Sequence, residues 1–258
     1  MFPLIFKPKN NFKMIRIGSK YDGGYLAEIE SIKNSNILIS MGINNNWEFE
    51  KSFSKFNNDI SIFSYDNMTD NRFLIKKIIL GILSIPNIYY FKRIVKNLIN
   101  LIDYNIFFTK KNISYERIFL GLSNNPEDQI ITLKKIIEDN NLQDKNIFLK
   151  IDIEGSEYRF LNELIIFQKN ITGLIIEFHD VDLHKNRIIE FINNFSKNIS
   201  HIHANNYGRF DINGDPTVIE MTFTSNSKKD KIAEVKLPHI LDNPNNPLKK
   251  EINIKFEK

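Results

Sequence analysis

The sequence predicts an α/β fold built on a Rossmann-like, mostly parallel sheet. Short runs rich in β-branched and aromatic residues alternate with helical patterns, which is typical of βαβ units. The seven runs lie at residues 37–43, 61–66, 118–123, 147–153, 171–179, 199–205 and 218–224. A loop rich in Gly, Asn and Asp, and not a helix, separates the last two runs, so we expect the last strand to be antiparallel.

Helical patterns fill most of the gaps between the predicted strands, at about 47–57, 126–141, 156–168 and 184–197. The second pattern follows Asn125-Pro126, and proline is common at the first position of a helix. We therefore predict that this helix begins near residue 126.

Residues 70–110 interrupt the alternation with two long apolar patterns that contain lysines and arginines. They predict two amphipathic helices inserted after the second strand. A cap packed on the main domain is the favoured interpretation, and a homodimer interface or a membrane-surface contact are the alternatives. With this insertion, residues 1–258 are predicted to form a single domain.

The composition excludes several classes of protein. The net charge of +4 is modest and the lysines are scattered, which argues against a nucleic-acid binder. The absence of cysteine excludes disulfides, thiolate metal sites and a cysteine nucleophile. No window has the roughly 20 uncharged apolar residues of a membrane span, and the proline-broken amino terminus does not resemble a signal peptide. We therefore expect a cytoplasmic protein with no membrane span.

The fourth predicted strand ends in a group of carboxylates around a glycine, in the segment FLKIDIEGSE at residues 148–157. Ligands of open α/β sheets bind at the carboxyl ends of the strands. Asp152 and Glu154 are two residues apart and share one face of a strand. Two carboxylates side by side repel each other unless a cation, a hydroxyl-rich substrate or a proton lies between them. For Glu157, capping of the following helix is the competing interpretation.

The first two strand ends predict a nucleoside site. Gly42 follows the first strand without a GxGxxG pattern, which argues against a pyrophosphate site and favours an adenosine ligand that lacks phosphates. Asp66 ends the second strand, where acids of α/β nucleotide sites bind ribose hydroxyls. Asn44, after the first strand, and Ser123, at the end of the third, are further candidate cofactor contacts.

Later strand ends add imidazole groups to the same edge of the sheet. Glu177 and His179 are two residues apart on the fifth strand, and His203 and Asn205 have the same spacing on the sixth. One histidine is a candidate general base, with His179 favoured. Alternatively Asp152, Glu177 and His203 would bind a divalent metal.

The amino-terminal segment RIGSKYDGGY admits two interpretations. Asp22 followed by two glycines is a turn signal, so a hairpin explains the pattern without any function. In the functional interpretation Arg16 and Lys20, with Tyr21 and Asp22, lie over the site and bind a phosphate or carboxylate of the acceptor.

The order of these motifs resembles the FkbM family of S-adenosylmethionine-dependent methyltransferases. The resemblance rests on LKIDIEGSEYRFL, LIIEFHD, RIGSKYDGGYL and HIHANNYG…DPTVIEMTF, and it covers most of residues 15–224. It implies a seven-stranded methyltransferase sheet with a final antiparallel strand, and methyl transfer to oxygen, often on a sugar or polyketide. The first motif departs from the usual acid-x-Gly-x-Gly because only Gly42 is present.

Together these inferences predict an O-methyltransferase that uses S-adenosylmethionine and acts on a sugar hydroxyl of a sugar nucleotide or surface-glycan precursor, in polysaccharide biosynthesis. The predicted cofactor contacts are Gly42, Asn44, Asp66, Ser123 and Asp152. The predicted catalytic residues are Asp152, Glu154, His179 and His203. The predicted substrate contacts are Arg16, Lys20, Tyr21, Asp22, Glu177, Asn205 and Asn206.

Two other functions remain open from the sequence. A metal-dependent hydrolase or glycosyltransferase would use Asp152, Glu154, His179 and His203 to bind its cation. A non-catalytic adenosine-binding scaffold would use residues 70–110 as its interaction surface. Similar sheets carry many different chemistries, so the fold alone does not distinguish among these functions.

Overall fold

A computed structural model of the chain describes residues 1–67, 70–83, 88–125, 127, 129–226 and 235–257. The strands are β1 (Met14–Gly18), β2 (Gly24–Glu28), β3 (Ile37–Met41), β4 (Ser61–Asp66), β5 (Ile113–Arg117), β6 (Phe119–Leu120), β7 (Ile130–Ile131), β8 (Ile147–Ile151), β9 (Ile171–Phe178), β10 (Asn198–Ala204) and β11 (Ile219–Thr224). The α-helices are α1 (Ile29–Lys33), α2 (Glu48–Phe56), α3 (Asn71–Leu83), α4 (Ile88–Phe108), α5 (Leu133–Asp139), α6 (Leu161–Ile166) and α7 (Val181–Asn194). Short 3₁₀ turns lie at Leu4–Phe6 and Glu157–Arg159.

The main sheet has seven strands in the order β10-β11-β9-β8-β3-β4-β5. Strand β11 is antiparallel to both of its neighbours, and the other pairings are parallel. This arrangement confirms the predicted α/β sheet with an antiparallel final strand.

The central strands form because their side chains are buried on both faces of the sheet. Every residue of β3, β8 and β9 is buried. Alternate residues enter two different cores: Ile39 and Leu149 pack in one, and Leu38 and Phe148 in the other. Strands covered on both sides show nearly continuous apolar runs, as the sequence did here.

The third strand of the sheet is not the one predicted at 118–123. The sheet uses β5 at Ile113–Arg117, whereas β6 and β7 form a separate two-stranded pair. Strand β5 is at the edge of the sheet and only its first residue is buried, so its sequence lacks a strong apolar run.

The predicted helix at 126–141 begins later and is shorter. Helix α5 begins at Leu133 because the Thr132 side chain accepts a hydrogen bond from the Lys135 amide at 3.1 Å and caps the helix. Ile130 and Ile131, assigned to the helix from their spacing, pair with β6 instead. The predicted start at Pro126 lies outside the described residues.

The predicted helical insertion after the second strand is confirmed as α3 and α4. The two helices are antiparallel, because Asn71 and Asn105 exchange side-chain hydrogen bonds at one end and Gly81 packs against Ile94 near the other. We call this pair the helical hairpin. Trp47 packs edge-on against Tyr104 at its base.

The amino-terminal segment forms an antiparallel hairpin of β1 and β2, as the turn signal predicted. Strand β2 packs on the main sheet, where the Thr222 hydroxyl donates to the Leu26 carbonyl at 2.7 Å. This packing brings the turn that precedes β2 to the carboxyl edge of the sheet. Within the described ranges, we find no helix with both the length and the apolar character needed to cross a bilayer.

Candidate active site

A cleft of about 970 Å³ opens at the carboxyl ends of β3, β4, β8 and β9. This is where ligands bind in sheets of this type, and the volume suits a small organic ligand. The cleft contains many of the residues proposed from the sequence: Asp22, Gly42, Asn44, Asp66, Asp152, Glu154, Glu177, His179 and Asn205.

Backbone conformations that side chains rarely adopt occur at three of the turns that follow these strands. Asn44, Glu154 and Asp180 have φ angles of 52°, 53° and 48°. They follow β3, β8 and β9, so the strain coincides with the edge where the cleft opens. Such conformations are often found at functional sites.

Gly42 lines the cleft. The local backbone conformation, and not the approach of a ligand, requires a glycine at this position. Its φ is +80°, and a Cβ atom there would collide with the carbonyl of Asp152. The glycine therefore lets the loops after β3 and β8 approach each other. On the same side, the Asn44 amide donates to Asp66 Oδ2 at 2.7 Å and fixes that carboxylate at the end of β4.

An apolar wall completes this side of the cleft, and the sequence reasoning missed it. Ile118, Phe119 and Leu120 line the cleft, and Phe119 is 52% exposed. Ser123, the predicted contact, is exposed and does not line the cleft. The misplaced third strand caused the error, since the strand of the main sheet ends at Arg117 and not at Ser123.

Asp152 is held by two groups that the sequence reasoning did not identify. The Tyr25 hydroxyl donates to Asp152 Oδ2 at 2.8 Å, and Lys150 Nζ lies 3.5 Å from the same oxygen. Lys150 also donates to the Gly42 carbonyl. Tyr25 is the last residue of the segment RIGSKYDGGY and is buried, so the tyrosine that ends that motif was the available signal.

Glu177 lies on β9 beside this pair. Asn205 donates to its Oε1 at 2.8 Å, and the Tyr25 hydroxyl lies 3.5 Å from its Oε2. Burial, with the charges of Asp152 and Glu220, raises the pKa of Glu177 well above its ordinary value. The cleft therefore places Asp152 near a carboxyl group that favours its neutral form.

His179 faces the same cleft and is oriented by Glu157. The fully buried Glu157 accepts a hydrogen bond from the His179 amide at 2.6 Å, and its Oε1 lies 3.2 Å from His179 Nδ1. Burial alone would lower the pKa of His179, but Glu157, with the charges of Asp152 and Glu154, raises it above its ordinary value. The remaining ring nitrogen, Nε2, lies 3.4 Å from Glu154 and 3.6 Å from Glu177.

Asp152, Glu154 and His179 each offer one ligand atom, and these atoms all lie within 4.8 Å of one another. Two carboxylate oxygens and an imidazole suit a magnesium- or manganese-like ion. This set differs from the predicted set of Asp152, Glu177 and His203, because His203 lies outside the cleft lining.

Both ring nitrogens of His203, on the edge strand β10, contact carboxylates. Its Nδ1 lies 3.0 Å from Glu220 and its Nε2 lies 2.9 Å from Glu251. Burial alone would lower its pKa, but Glu220 and Glu251, with the charge of Asp242, raise the pKa of His203 to about 10. A doubly engaged imidazolium cannot accept a proton or bind a metal, so we leave His203 out of the site.

The other predicted substrate contacts lie outside the cleft lining. Arg16 donates to the carbonyls of Ser19 and Tyr21 at 3.2 and 3.0 Å and so closes the β1–β2 turn. Lys20 is exposed on that turn, with its Nζ 5.3 Å from the Tyr21 ring centroid. The Asn206 amide donates to carbonyls of the carboxyl-terminal segment, including Asn246 at 3.1 Å.

Part of the chain matches a known protein family. Residues 110–207 match the protein-family model described as the methyltransferase FkbM domain. The matched range contains β8, β9 and the turns that carry Asp152, Glu154 and His179. Among curated proteins, none matches the chain.

Several solved structures resemble the chain at low sequence identity. Precorrin-6y C5,15-methyltransferase from Geobacter metallireducens is 10% identical, over 77% of this chain and 85% of that one, with a TM-score of 0.38. TYW2 from M. jannaschii, solved in complex with AdoMet, is 11% identical over 75% and 73%, with a TM-score of 0.33. These likenesses are too coarse to support a functional argument. Residues 110–207, which contain the acidic motif after β8, therefore resemble the methyltransferase FkbM domain.

Proposed function

We propose that this protein transfers a methyl group from S-adenosylmethionine to a hydroxyl of a sugar carried by a sugar nucleotide or a surface-glycan precursor. The observation that carries the proposal is the oriented His179–Glu157 pair, which faces the same cleft as Asp66 and Asp152. In this proposal, one cleft binds the nucleoside at Asp66 and holds the proton acceptor at His179.

The charge of the cleft supports a cationic methyl donor. Its lining includes five carboxyl groups and one lysine, Lys150. The carboxyl groups belong to Asp22, Asp66, Asp152, Glu154 and Glu177. When bound, S-adenosylmethionine supplies a methyl group on a positively charged sulfur. In the proposed arrangement Asp66 binds the ribose hydroxyls and Phe119 packs on the adenine.

The residues around His179 suit transfer to oxygen. The acceptor oxygen forms a bond to the methyl carbon as the carbon–sulfur bond breaks, and the hydroxyl proton moves to His179 Nε2. Glu157 holds the ring through Nδ1 and stabilises the imidazolium that forms. Most of the acceleration comes from alignment of the reacting atoms, because the donor is already activated.

The carboxylates of the cleft suit a polyhydroxylated acceptor. Asp152 and Glu154 accept hydrogen bonds from sugar hydroxyls, and the neutral form of Glu177 donates one. An acceptor diphosphate does not suit this acidic interior. In the proposal it lies at the β1–β2 turn, where Lys20 is exposed on the same turn as the cleft residues Asp22 and Gly23.

A divalent cation on Asp152, Glu154 and His179 is a second arrangement for the same reaction, favoured by the spacing of their ligand atoms. A cation there would bind the acceptor hydroxyl and lower its pKa. His179 would then act as a ligand and not as the base. Activity after treatment with EDTA and addition of Mg²⁺ or Mn²⁺ distinguishes the two arrangements.

The test combines cofactor binding with methyl transfer. Calorimetry should show binding of S-adenosylmethionine and of S-adenosylhomocysteine, and Asp66→Asn should weaken both. Mass spectrometry with a methyl-labelled donor should detect a labelled product in a panel of nucleoside-diphosphate sugars. Asp152→Asn should abolish the labelled product.

Asp59→Asn is the matched control, because Asp59 is an exposed acid that precedes the other end of β4. It should bind the cofactor and turn over as the wild type does. Absence of cofactor binding would refute the proposed function. Cofactor binding without any labelled sugar would refute the acceptor class alone.

A further inference from the structure

The outward face of the helical hairpin is apolar along its length. On α4, large side chains recur every three or four residues from Phe91 to Ile106 and therefore share one face, about 22 Å long. Phe91 is 61% exposed, Ile106 is 63% exposed, and Leu83 at the end of α3 is 77% exposed. The opposite face of α4 packs inward through Tyr104 and Phe107. The apolar outward face is therefore not a consequence of core packing.

The same two helices carry six cations and one acid. The cations are Arg72, Lys76, Lys77, Lys92, Arg93 and Lys96. Within the part of the chain that the structure describes, no carboxylate forms an ion pair with any of the six. The acid, Asp103, instead accepts from Trp47 Nε1 at 2.7 Å and lies 3.0 Å from Lys51 at the base of the hairpin.

Among the described residues, no carboxylate pairs with the positive charge of the hairpin. Burial, together with the charges of Arg93 and Lys96, lowers the pKa of Lys77. Cations from both helices therefore lie near enough to repel one another. An anionic surface would relieve this repulsion.

The placement of the cations distinguishes the candidate occupants of the face. On α3 the exposed Arg72 and Lys76 alternate with exposed Ile75 and Ile79. A second copy of the chain would bring a second set of the same cations into the interface, and charged residues are depleted from the cores of protein interfaces. At a lipid surface, long cationic side chains instead extend to the phosphates while the apolar residues enter the acyl region.

We propose that the helical hairpin binds the surface of an anionic lipid bilayer without crossing it. Apolar burial and attraction to the lipid phosphates act together, and neither helix in its described residues has the character of a membrane span. This inference goes beyond the proposed methyl transfer and does not depend on it.

The test is co-sedimentation of the full chain with phosphatidylcholine vesicles, with and without phosphatidylglycerol. The wild type should sediment with the anionic vesicles, and high salt should release it. The triple variant Lys92→Gln, Arg93→Gln, Lys96→Gln should bind roughly a hundredfold more weakly. Phe91→Ser with Ile102→Ser should lose binding, although the charge is unchanged.

Two control variants test whether binding depends on the hairpin itself and not on the total charge or the exposed apolar surface of the chain. The triple variant Lys9→Gln, Lys13→Gln, Lys55→Gln removes the same charge from exposed positions outside the hairpin and should bind as the wild type does. Leu183→Ser removes an apolar side chain that is 75% exposed on α7 and should also have no effect. Equal loss in the control triple variant, or no binding to anionic vesicles, would overturn the proposal. So would a wild-type dimer that Phe91→Ser with Ile102→Ser converts to a monomer in sedimentation velocity.

Discussion

Two histidine–carboxylate groups lie on either side of β11 in the same sheet, one after β9 and one on β10. They differ in what the second ring nitrogen contacts. In the cleft, His179 is held through Nδ1 by Glu157, and its Nε2 faces the cavity and the side chains of Glu154 and Glu177. At the edge strand β10, both nitrogens of His203 are bound by carboxylates, Glu220 and Glu251.

The difference shows how one residue type serves two purposes. Glu251 belongs to the carboxyl-terminal segment, so His203 ties that segment to the sheet. The neighbouring His201 does the same through Asp242 at 2.9 Å. An imidazole with both nitrogens engaged stabilises a structure, whereas one with a nitrogen facing a cavity is available for proton transfer. Substitutions in each group test this distinction.

Among substitutions in the two histidine groups, the largest effect on turnover is expected from His179→Ala. Removal of the proposed general base should lower kcat by roughly 10²- to 10⁴-fold. Binding of S-adenosylmethionine should change little, since the proposed cofactor contacts lie on β3 and β4. Single-turnover methyl transfer and calorimetry measure the two quantities separately. An unchanged kcat would remove His179 from the chemistry and erase the contrast between the two groups.

His203→Gln should reverse this pattern, with turnover at moderate temperature unchanged and stability lowered. It leaves two carboxylates without their cation in a buried network, which costs about 3–5 kcal/mol in the free energy of unfolding. Urea titration measures this loss. A variant with normal stability and lost turnover would instead assign His203 to the active site.

The contribution of His203 to the free energy of unfolding should decrease as the pH rises. Its pKa rises from about 6.5 in the unfolded chain to about 10 in the fold. The stabilisation is therefore complete below about pH 6.5 and is lost as the pH rises through about 10. The difference in unfolding free energy between the wild type and His203→Gln should shrink over this window. A difference that grows with pH would contradict the assigned ion pairs.

The fold was predictable where burial leaves a pattern in the sequence. Strands β3 and β8 are covered on both faces, so their apolar runs are uninterrupted. Strand β5 is exposed at the edge, and its segment ISYER carries too little apolar signal to be recognised. Helix α5 begins late because Thr132 caps it. The apolar residues before Thr132 continue the helical spacing, so the sequence pattern did not reveal this start.

The candidate site was predictable only in part, for a related reason. Asp152 and Glu177 were found because polar residues that end buried strands are conspicuous in a sequence. Tyr25 was missed because its partner Asp152 is 127 residues away, and only the packing of β2 on the sheet joins them. The two histidine groups looked alike in sequence because Glu251 is 48 residues from His203.

The finest test of the comparison is Glu157→Gln, which keeps an acceptor for the His179 amide but removes the charge. The raised pKa of His179 means that kcat/KM should rise with pH as the imidazolium loses its proton. Without the charge of Glu157, that pKa should fall, so the rising limb should move to lower pH. The plateau should also fall, because a weaker base accepts the hydroxyl proton less readily.

The pH profile of kcat/KM measures both changes, and the nitrogen chemical shifts of His179 give its pKa without turnover. If the His179 pKa falls while the rising limb stays in place, another group accepts the proton, and the ring nitrogen facing the cleft is a ligand or a binding contact.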